Sequence, residues 1–371
     1  MANPFQKFFH LGATDLWQKK ESRVVGLDIG HSSAKAVQLR REKGRAILET
    51  YGEIALGPYG DLAVGQVSNL GVPKLAELLR DLFKEANVNA TATSVSIPLR
   101  SSLLIIMELP DVGRAKLEKI VPIEARKYIP VPITEVELDW WVIPKASESK
   151  EVMERQQVEV LLAAIHHDII GQYRETMKAL EREAAFFEIE TFSALRSVFP
   201  GDLSPTVIID LGASTTKMAI VDYGVVRLSH TISKGAQDIT LSIARSLSVE
   251  FAKAEEIKRR VGLVETIGEG ERVTGLVSTI VEYIFSEVTK VLTIYQRKQQ
   301  RAISKIILIG GGSLLKGLHE TATKSFEVPV TLGNPFAQVE YPAFLDNVLR
   351  SSGPGFAVAM GLALRHLEEL G

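Results

Sequence analysis

The feature that most constrains this chain is an internal repeat that needs no gap. Val25-Gly26-Leu27-Asp28-Ile29-Gly30-His31-Ser32-Ser33-Ala34-Lys35 superposes on Val207-Ile208-Ile209-Asp210-Leu211-Gly212-Ala213-Ser214-Thr215-Thr216-Lys217. Both copies carry an apolar run, Asp, an apolar residue, Gly, a Ser/Thr pair and Lys in the same places, about half a chain apart. After each turn the apolar run resumes, as Ala36-Val37-Gln38-Leu39 and as Met218-Ala219-Ile220-Val221, so each copy reads as strand, tight polar turn, strand. Two similar halves that each open on a hairpin predict a duplicated α/β unit with a cleft between the copies.

Composition fits such a pair of domains and narrows its partners. A chain of 371 residues with 46% hydrophobic content can bury a large core. A formal net charge of −2, with acids and bases evenly scattered, supplies no basic face of the kind that nucleic-acid binding requires. The absence of cysteine excludes disulfides, thiolate zinc sites and a thiol nucleophile, and is compatible with a reducing compartment. No apolar run reaches the roughly 18 residues needed to span a bilayer, and no signal-peptide pattern opens the chain. The expectation is a cytoplasmic protein that is neither exported nor membrane-spanning. The aromatic stretch Pro4 to Trp17, followed by Lys19-Lys20, reads as an N-terminal extension that packs on its own domain, stays disordered or docks on lipid headgroups.

The remaining elements follow from periodicity. Arg227 to Ile232 reads as a strand, and Lys234 to Thr240 as a turn feeding a helix. Helical spacing marks 253–262 and 276–300, Lys305 to Ile309 reads as a buried strand running into Gly310-Gly311-Gly312-Ser313, Leu314 starts a helix, and Phe356 to Leu370 forms the last one. Between the hairpins, two strands, a helix, two strands and a helix predict an inserted α+β unit, with Ala146 to Gln157 as an exposed loop. The domain expectation is thus an extension over 1–22, a first half over 23–85 and 184–200, an insertion over 86–183 and a second half over 201–371.

Each hairpin turn can present a row of backbone N–H groups around Gly30, Ser32 and Ser33, or around Gly212, Ser214 and Thr215. Such a concavity binds phosphate oxygens, because fixed amide dipoles need no reorganisation. Asp28 and Asp210, at the carboxyl ends of apolar strands, suit Mg²⁺ held through its water shell. Lys35 is placed to neutralise phosphate charge. A glycine run between a strand and a helix, Gly310 to Gly312, fits a surface against which a purine or sugar lies. Glu255 and Lys258, three residues apart on one helical face, can hydrogen-bond a ribose and base together.

With these motifs the chain resembles the actin/Hsp70/sugar-kinase ATPase superfamily. The order phosphate turn, insertion, phosphate turn, adenosine turn covers nearly the whole sequence, and implies a duplicated actin-like (RNase H-like) fold of two domains around a nucleotide cleft. Asp28 to Lys35, with Gly30, His31, Ser32 and Ser33, resembles the first phosphate motif of that superfamily. Asp210 to Thr215, with Gly212, Ala213, Ser214 and Thr215, resembles the second, although Ser214 stands where many relatives have glycine. Gly235 with Asp238-Ile239-Thr240 resembles a turn near the cleft, Gly310 to Ser313 the adenosine motif, and Glu255 with Lys258 and Arg259 the adenosine-contacting helix. The insertion is similar to that of the cell-division protein FtsA. Gly26 to Gly30, Glu124 to Pro130 and Gly361 to Arg365 are most similar to the PilM family of type IV pilus assembly, an assignment also favoured by a chain that stops at its terminal helix.

The resemblance implies Mg²⁺ and ATP in the cleft, and as partner the N-terminal cytoplasmic tail of the inner-membrane pilus protein PilN, so that membrane association is indirect. Hydrolysis needs a group that orients water near the γ-phosphate. In relatives that group precedes the second hairpin, where Glu190 is the candidate and Glu188 the reserve. Both also fit acidic residues at a helix start, and weak or absent turnover is expected. The alternatives are an FtsA-like, membrane-associated cell-division protein and a small-metabolite kinase.

Overall fold

The computed structural model describes residues 23–143, 157–199, 201–264 and 267–370; the N-terminal extension and nearly all of the predicted loop at 146–157 lie outside them. Strands β1 (Arg23–Ile29), β2 (Ser33–Glu42) and β3 (Arg45–Ala55) form an antiparallel meander. Helix α1 (Val72–Glu85) leads to β4 (Thr93–Ile97), which pairs in parallel with β1. After the insertion come β8 (Ala184–Ile189) and helix α4 (Glu190–Val198), and the first sheet has the order β3-β2-β1-β4-β8.

The second half repeats this plan. Strands β9 (Thr206–Leu211), β10 (Thr216–Asp222) and β11 (Val225–Ile232) form its meander. Helices α5 (Ala236–Leu247), α6 (Phe251–Val261) and α7 (Glu269–Gln299) lead to β12 (Lys305–Ile309), then α8 (Leu318–Phe326) and β13 (Val330–Leu332). The second sheet runs β11-β10-β9-β12-β13, the same order as the first. β1 and β9 are apolar runs because each is flanked by strands and covered on both faces, as with the neighbours Val24 and Val25 or Val207 and Ile208, all buried. The duplication read from two short motifs therefore extends to both sheets.

Between β4 and β8 lie β5 (Ser102–Pro110), α2 (Arg114–Ala125), β6 (Val136–Val142), β7 (Gln157–His166) and α3 (His167–Ala179). Three of these strands make a separate sheet in the order β5-β7-β6. The inserted unit is smaller than the expected 86–183. β4 belongs to the first sheet, where Ser94 and Val95 pair with Gly26 and Leu27. Ile170 and Met177 of α3 share the core of Leu78, Leu79 and Leu82 of α1. The glycine run also departs from expectation: Gly311–Leu314 is one 3-10 turn, and the α-helix begins only at Leu318. Helix α7 starts at Glu269, earlier than residue 276.

The largest revision concerns the C-terminus. After helix α9 (Asp346–Ser352) and the 3-10 turn Gly353–Phe356, helix α10 (Ala357–Glu369) packs on the first half, although its sequence follows the second. A Cβ on Gly26 would stand 2.0 Å from the Ala359 carbonyl oxygen, and one on Gly361 would stand 1.7 Å from that of Ser193. Backbones touch at both places, so only glycine fits. Within this seam Glu188 is fully buried. It accepts from Arg196 at 2.8 Å and from Arg365 at 2.9 Å, and Arg365 lies 4.1 Å over the Phe186 ring. Glu188 is thus a structural anion remote from the cleft, which removes it as the reserve candidate for hydrolysis.

Burial alone would push the Glu188 carboxyl up, but the charges and hydrogen bonds of the two arginines bring it below its ordinary 4.5. A depressed carboxylate stabilises the fold above the unfolded-state pKa, and that contribution is lost as pH falls through the folded-state value. Removing one arginine leaves a buried anion with fewer partners. We expect Arg365→Met to cost about 3 kcal/mol in urea unfolding at neutral pH, and to reduce the acid sensitivity of the midpoint below about pH 4.5.

Candidate functional site

The two hairpins face each other across a cavity of about 440 Å³. Their ladder registers correspond: Asp28 lies opposite Lys35 on β1 and β2, and Asp210 lies opposite Lys217 on β9 and β10. Each turn closes in the same way, with Gly30 N–H donating to the Ser33 carbonyl at 3.0 Å and Gly212 N–H to that of Thr215 at 3.1 Å. Aspartate and lysine are therefore delivered side by side at the cavity wall twice over, from opposite sides.

The two lysines are nevertheless used differently. Lys35 bonds Ser33 Oγ at 2.7 Å and Glu53 at 3.1 Å. Lys217 donates to Asp210 at 3.0 Å and to Glu190 at 2.7 Å. Burial by itself would lower the Lys217 ammonium, but the two carboxylates raise it well above its ordinary value, so it is a fixed cation. Glu190, the first residue of α4, also accepts the Leu99 N–H at 2.7 Å. Burial pushes its carboxyl up, and Lys217 pulls it back. Both Glu190 oxygens are engaged, an arrangement suited to a bridge between elements and poorly suited to a free general base.

Asp28 receives Ser96 Oγ at 2.8 Å, and burial raises its carboxyl. His31 stands 3.0 Å from Arg100 through Nε2; burial and the neighbouring guanidinium lower its pKa to about 4, so the ring is neutral at pH 7. On the far wall Glu255 bonds Lys258 at 2.6 Å, Thr240 Oγ1 at 2.7 Å and Arg259 at 2.8 Å. That carboxylate and ammonium face the cavity as one paired unit. Gly310, at φ +82°, is the floor, and a Cβ there would stand 2.2 Å from Asp210 Oδ1.

Of the residues singled out in the sequence, Asp28, Gly30, His31, Ser32, Ser33, Lys35, Glu190, Asp210, Gly212, Ala213, Ser214, Thr215, Glu255, Lys258, Arg259 and Gly310 to Gly312 line this one cavity. Two do not. Gly235 caps α5 with its N–H bonded to Asp238 at 2.9 Å, and its Cα abuts the Ala213 carbonyl, so it supports the second turn from behind. Ser313 is buried and donates its hydroxyl to the Gly310 carbonyl at 2.7 Å, fixing the floor without reaching the cavity. The structure adds Lys217, Glu53, Gln237, Pro98 and Gly355 to the walls. Lys217 is the repeat partner of Lys35; the others carry no local signature, because they arrive from the end of β3, the first turn of α5 and connecting turns.

The cavity fits a polyphosphate. Glycine turns face it from both sides, two lysines stand beside them, and the buried Thr215 hydroxyl has no hydrogen-bond partner among the described residues. A buried hydroxyl without a partner costs roughly 1–3 kcal/mol, and an incoming phosphate oxygen would relieve it. For a metal the donors are sparser: among the described residues no group of three or more histidines and carboxylates could hold an ion. Asp28 and Asp210 match a hydrated Mg²⁺ carried by phosphate better than a protein-only site. Ser96 already occupies one Asp28 oxygen and Lys217 one Asp210 oxygen, so neither aspartate offers both oxygens to an ion. We expect Thr215→Val to weaken ATP binding about tenfold in isothermal titration while leaving the melting temperature within a few degrees, since the substitution removes no existing hydrogen bond.

Comparison with known proteins agrees with this geometry. The family profile described as type IV pilus assembly protein PilM matches residues 26–367. The cell division protein FtsA of Neisseria meningitidis serogroup B is 29% identical over 175 residues, which cover 42% of this chain and 41% of FtsA, so the match spans about two-fifths of that curated relative. Among solved structures, the PilM-PilN type IV pilus biogenesis complex superposes with a TM-score of 0.79 at 26% identity, covering 94% of this chain and 99% of that one. The ADP-bound MreB5 of Spiroplasma citri superposes with a TM-score of 0.53 at 14% identity, over 95% of this chain and 100% of that one, a likeness of fold alone. The repeated sheets, the cleft and these matches make the fold actin-like, and the profile match over most of its length places this chain in the PilM family of type IV pilus assembly proteins.

Proposed function

We propose that this protein is an ATP-binding scaffold of the type IV pilus assembly machinery that binds the N-terminal cytoplasmic tail of PilN. The observation that carries the nucleotide reading is the pair of register-matched Asp–Lys hairpins facing one cavity, with a Thr215 hydroxyl in the second turn that has no hydrogen-bond partner among the described residues. Family membership and the likeness to the PilM-PilN complex support the partner. Turn amides of the 30–33 and 212–215 segments would hold the phosphates, Lys35 and Lys217 would balance their charge, and Glu255 with Lys258 would fix the ribose side. Bound Mg²⁺ would supply charge neutralisation between phosphate and Asp28. Turnover is slow or absent in this reading, because both oxygens of Glu190 are committed to Leu99 and Lys217.

Among the described residues no helix is long and apolar enough to cross a membrane. Family membership and the likeness to the PilM-PilN complex support a place on the cytoplasmic face of the inner membrane, held there by the partner. A tail bound in extended form would gain affinity from backbone hydrogen bonds and specificity from alternate side-chain pockets.

Titration of the purified chain with ATP and Mg²⁺ tests the first half of the proposal. Asp28→Ala and Asp210→Ala should each weaken binding by about tenfold or more, and unchanged affinity in both would remove the reading. Capture of the chain on immobilised PilN tail peptide tests the second half, with retention expected and a scrambled peptide as control.

A further inference from the structure

The 3-10 turn Leu99–Ser101 joins β4 of the first sheet to β5 of the inserted sheet. It is therefore the root of the insertion, and it is gripped from the cleft on two sides. Leu99 N–H donates to Glu190, which in turn holds Lys217 of the second hairpin. Arg100 bonds His31, a residue of the first hairpin turn. Glu190, Lys217 and His31 all line the cavity, whereas Arg100 is exposed outside it. Three consecutive residues thus connect both hairpins to one strand of the insertion.

The far side of the insertion is attached as well. Glu159 of β7 pairs with Arg227 of β11, and Leu104 and Leu161 share a core with Val221, Val225 and Val226 of the second half. The insertion consequently bridges the cleft, rooted on the first half and leaning on the second. A change at the root has a lever to act on.

We infer that the Leu99–Ser101 turn couples occupancy of the cavity to the orientation of the insertion. The inference rests on the nucleotide reading of the cavity. Lys217 is shared by Asp210 and Glu190, and a polyphosphate oxygen competes for the same ammonium. Once Lys217 turns to phosphate, Glu190 loses its tie to the second half and keeps only Leu99. Phosphate at the first turn acts likewise on His31, whose ring nitrogen is the acceptor for Arg100. Loss of the Glu190–Lys217 contact frees the root from the second half and loss of the Arg100–His31 contact loosens it at the first hairpin, while its bond through β4 to the first sheet is unaffected. Both hooks weaken with the same ligand, so cavity and insertion share a coupling free energy.

The chain has no native cysteine, so two can be introduced for spin labels at exposed Lys119 of α2 and exposed Glu282 of α7. The distance between them is measured in the full chain with and without saturating Mg-ATP, alongside nucleotide affinity. In the otherwise wild-type protein, Mg-ATP should shift the distance distribution. Arg100→Ala should bind ATP with affinity within about threefold of wild type yet lose most of that shift. Glu190→Gln, which keeps an acceptor for Leu99 but removes the charge that holds Lys217, should show a distribution near the ATP-bound one before nucleotide is added. A full shift in Arg100→Ala together with an unaltered starting distribution in Glu190→Gln would overturn the coupling. So would a wild-type chain that binds ATP with no shift. A wild-type chain that fails to bind ATP would overturn the nucleotide reading and this inference with it, an outcome distinguished by the affinity measurement.

Discussion

The close seating of helix α10 in the first half is the constraint on which the rest of the structure hangs. Gly26 and Gly361 let its backbone touch β1 on one side and α4 on the other, and the buried Glu188 draws Arg365 and Arg196 into the seam. Helix α10 begins where the turn Gly353–Phe356 ends, and that turn reaches both halves of the site. Gly310 N–H donates to the Pro354 carbonyl at 2.8 Å, while Gly355 approaches the Lys35 side chain. The floor of the second half is thus tied to the phosphate-side lysine of the first. Without the helix seated as it is, the two hairpins would lose this tie between the floor of one half and the lysine of the other.

Duplication does not make the two halves equivalent. The same Asp–Lys pairing leaves Lys35 with Ser33 and Glu53, both of its own sheet, whereas Lys217 reaches out of its sheet to Glu190. The difference arises from what stands opposite. Helix α4 starts at the end of β8 in the first half and aims its first residue across the cleft at β10. Strand β8 itself is buried against α10, so the position of Glu190 is inherited from the same seam. A buried ammonium between two carboxylates stays charged, so Lys217 is a cation for which a phosphate at the glycine turns can compete.

The insertion departs from the two-fold plan. Its sheet is separate, its root sits on a wall of the cleft and its flank packs on β11, so it contacts the cleft and both halves at once. The mechanical consequence is that closure of the halves and rotation of the insertion are not independent. The sequence indicated that an insertion exists through the change in strand and helix spacing. It set the boundaries too wide, because β4 and α3 have ordinary amphipathic patterns that do not name the sheet they join.

Sequence by itself determined the duplication, the hairpin turns and about half of the cavity lining, because those depend on local chemistry: an apolar run, an Asp at its end, glycine where backbones must bend and Ser/Thr where amides are exposed. It also determined that Gly310 follows a strand and that Glu255 and Lys258 share a helical face. Tertiary structure alone decided which half owns α10, that Glu188 is a buried counter-ion and Glu190 a bridge, and that Gly235 and Ser313 brace the site from behind. Two carboxylates two residues apart at a strand-to-helix boundary look alike in one dimension. Their roles separate only when the arginines of α4 and α10 arrive at one and the lysine of β10 at the other, over distances in sequence that periodicity does not encode.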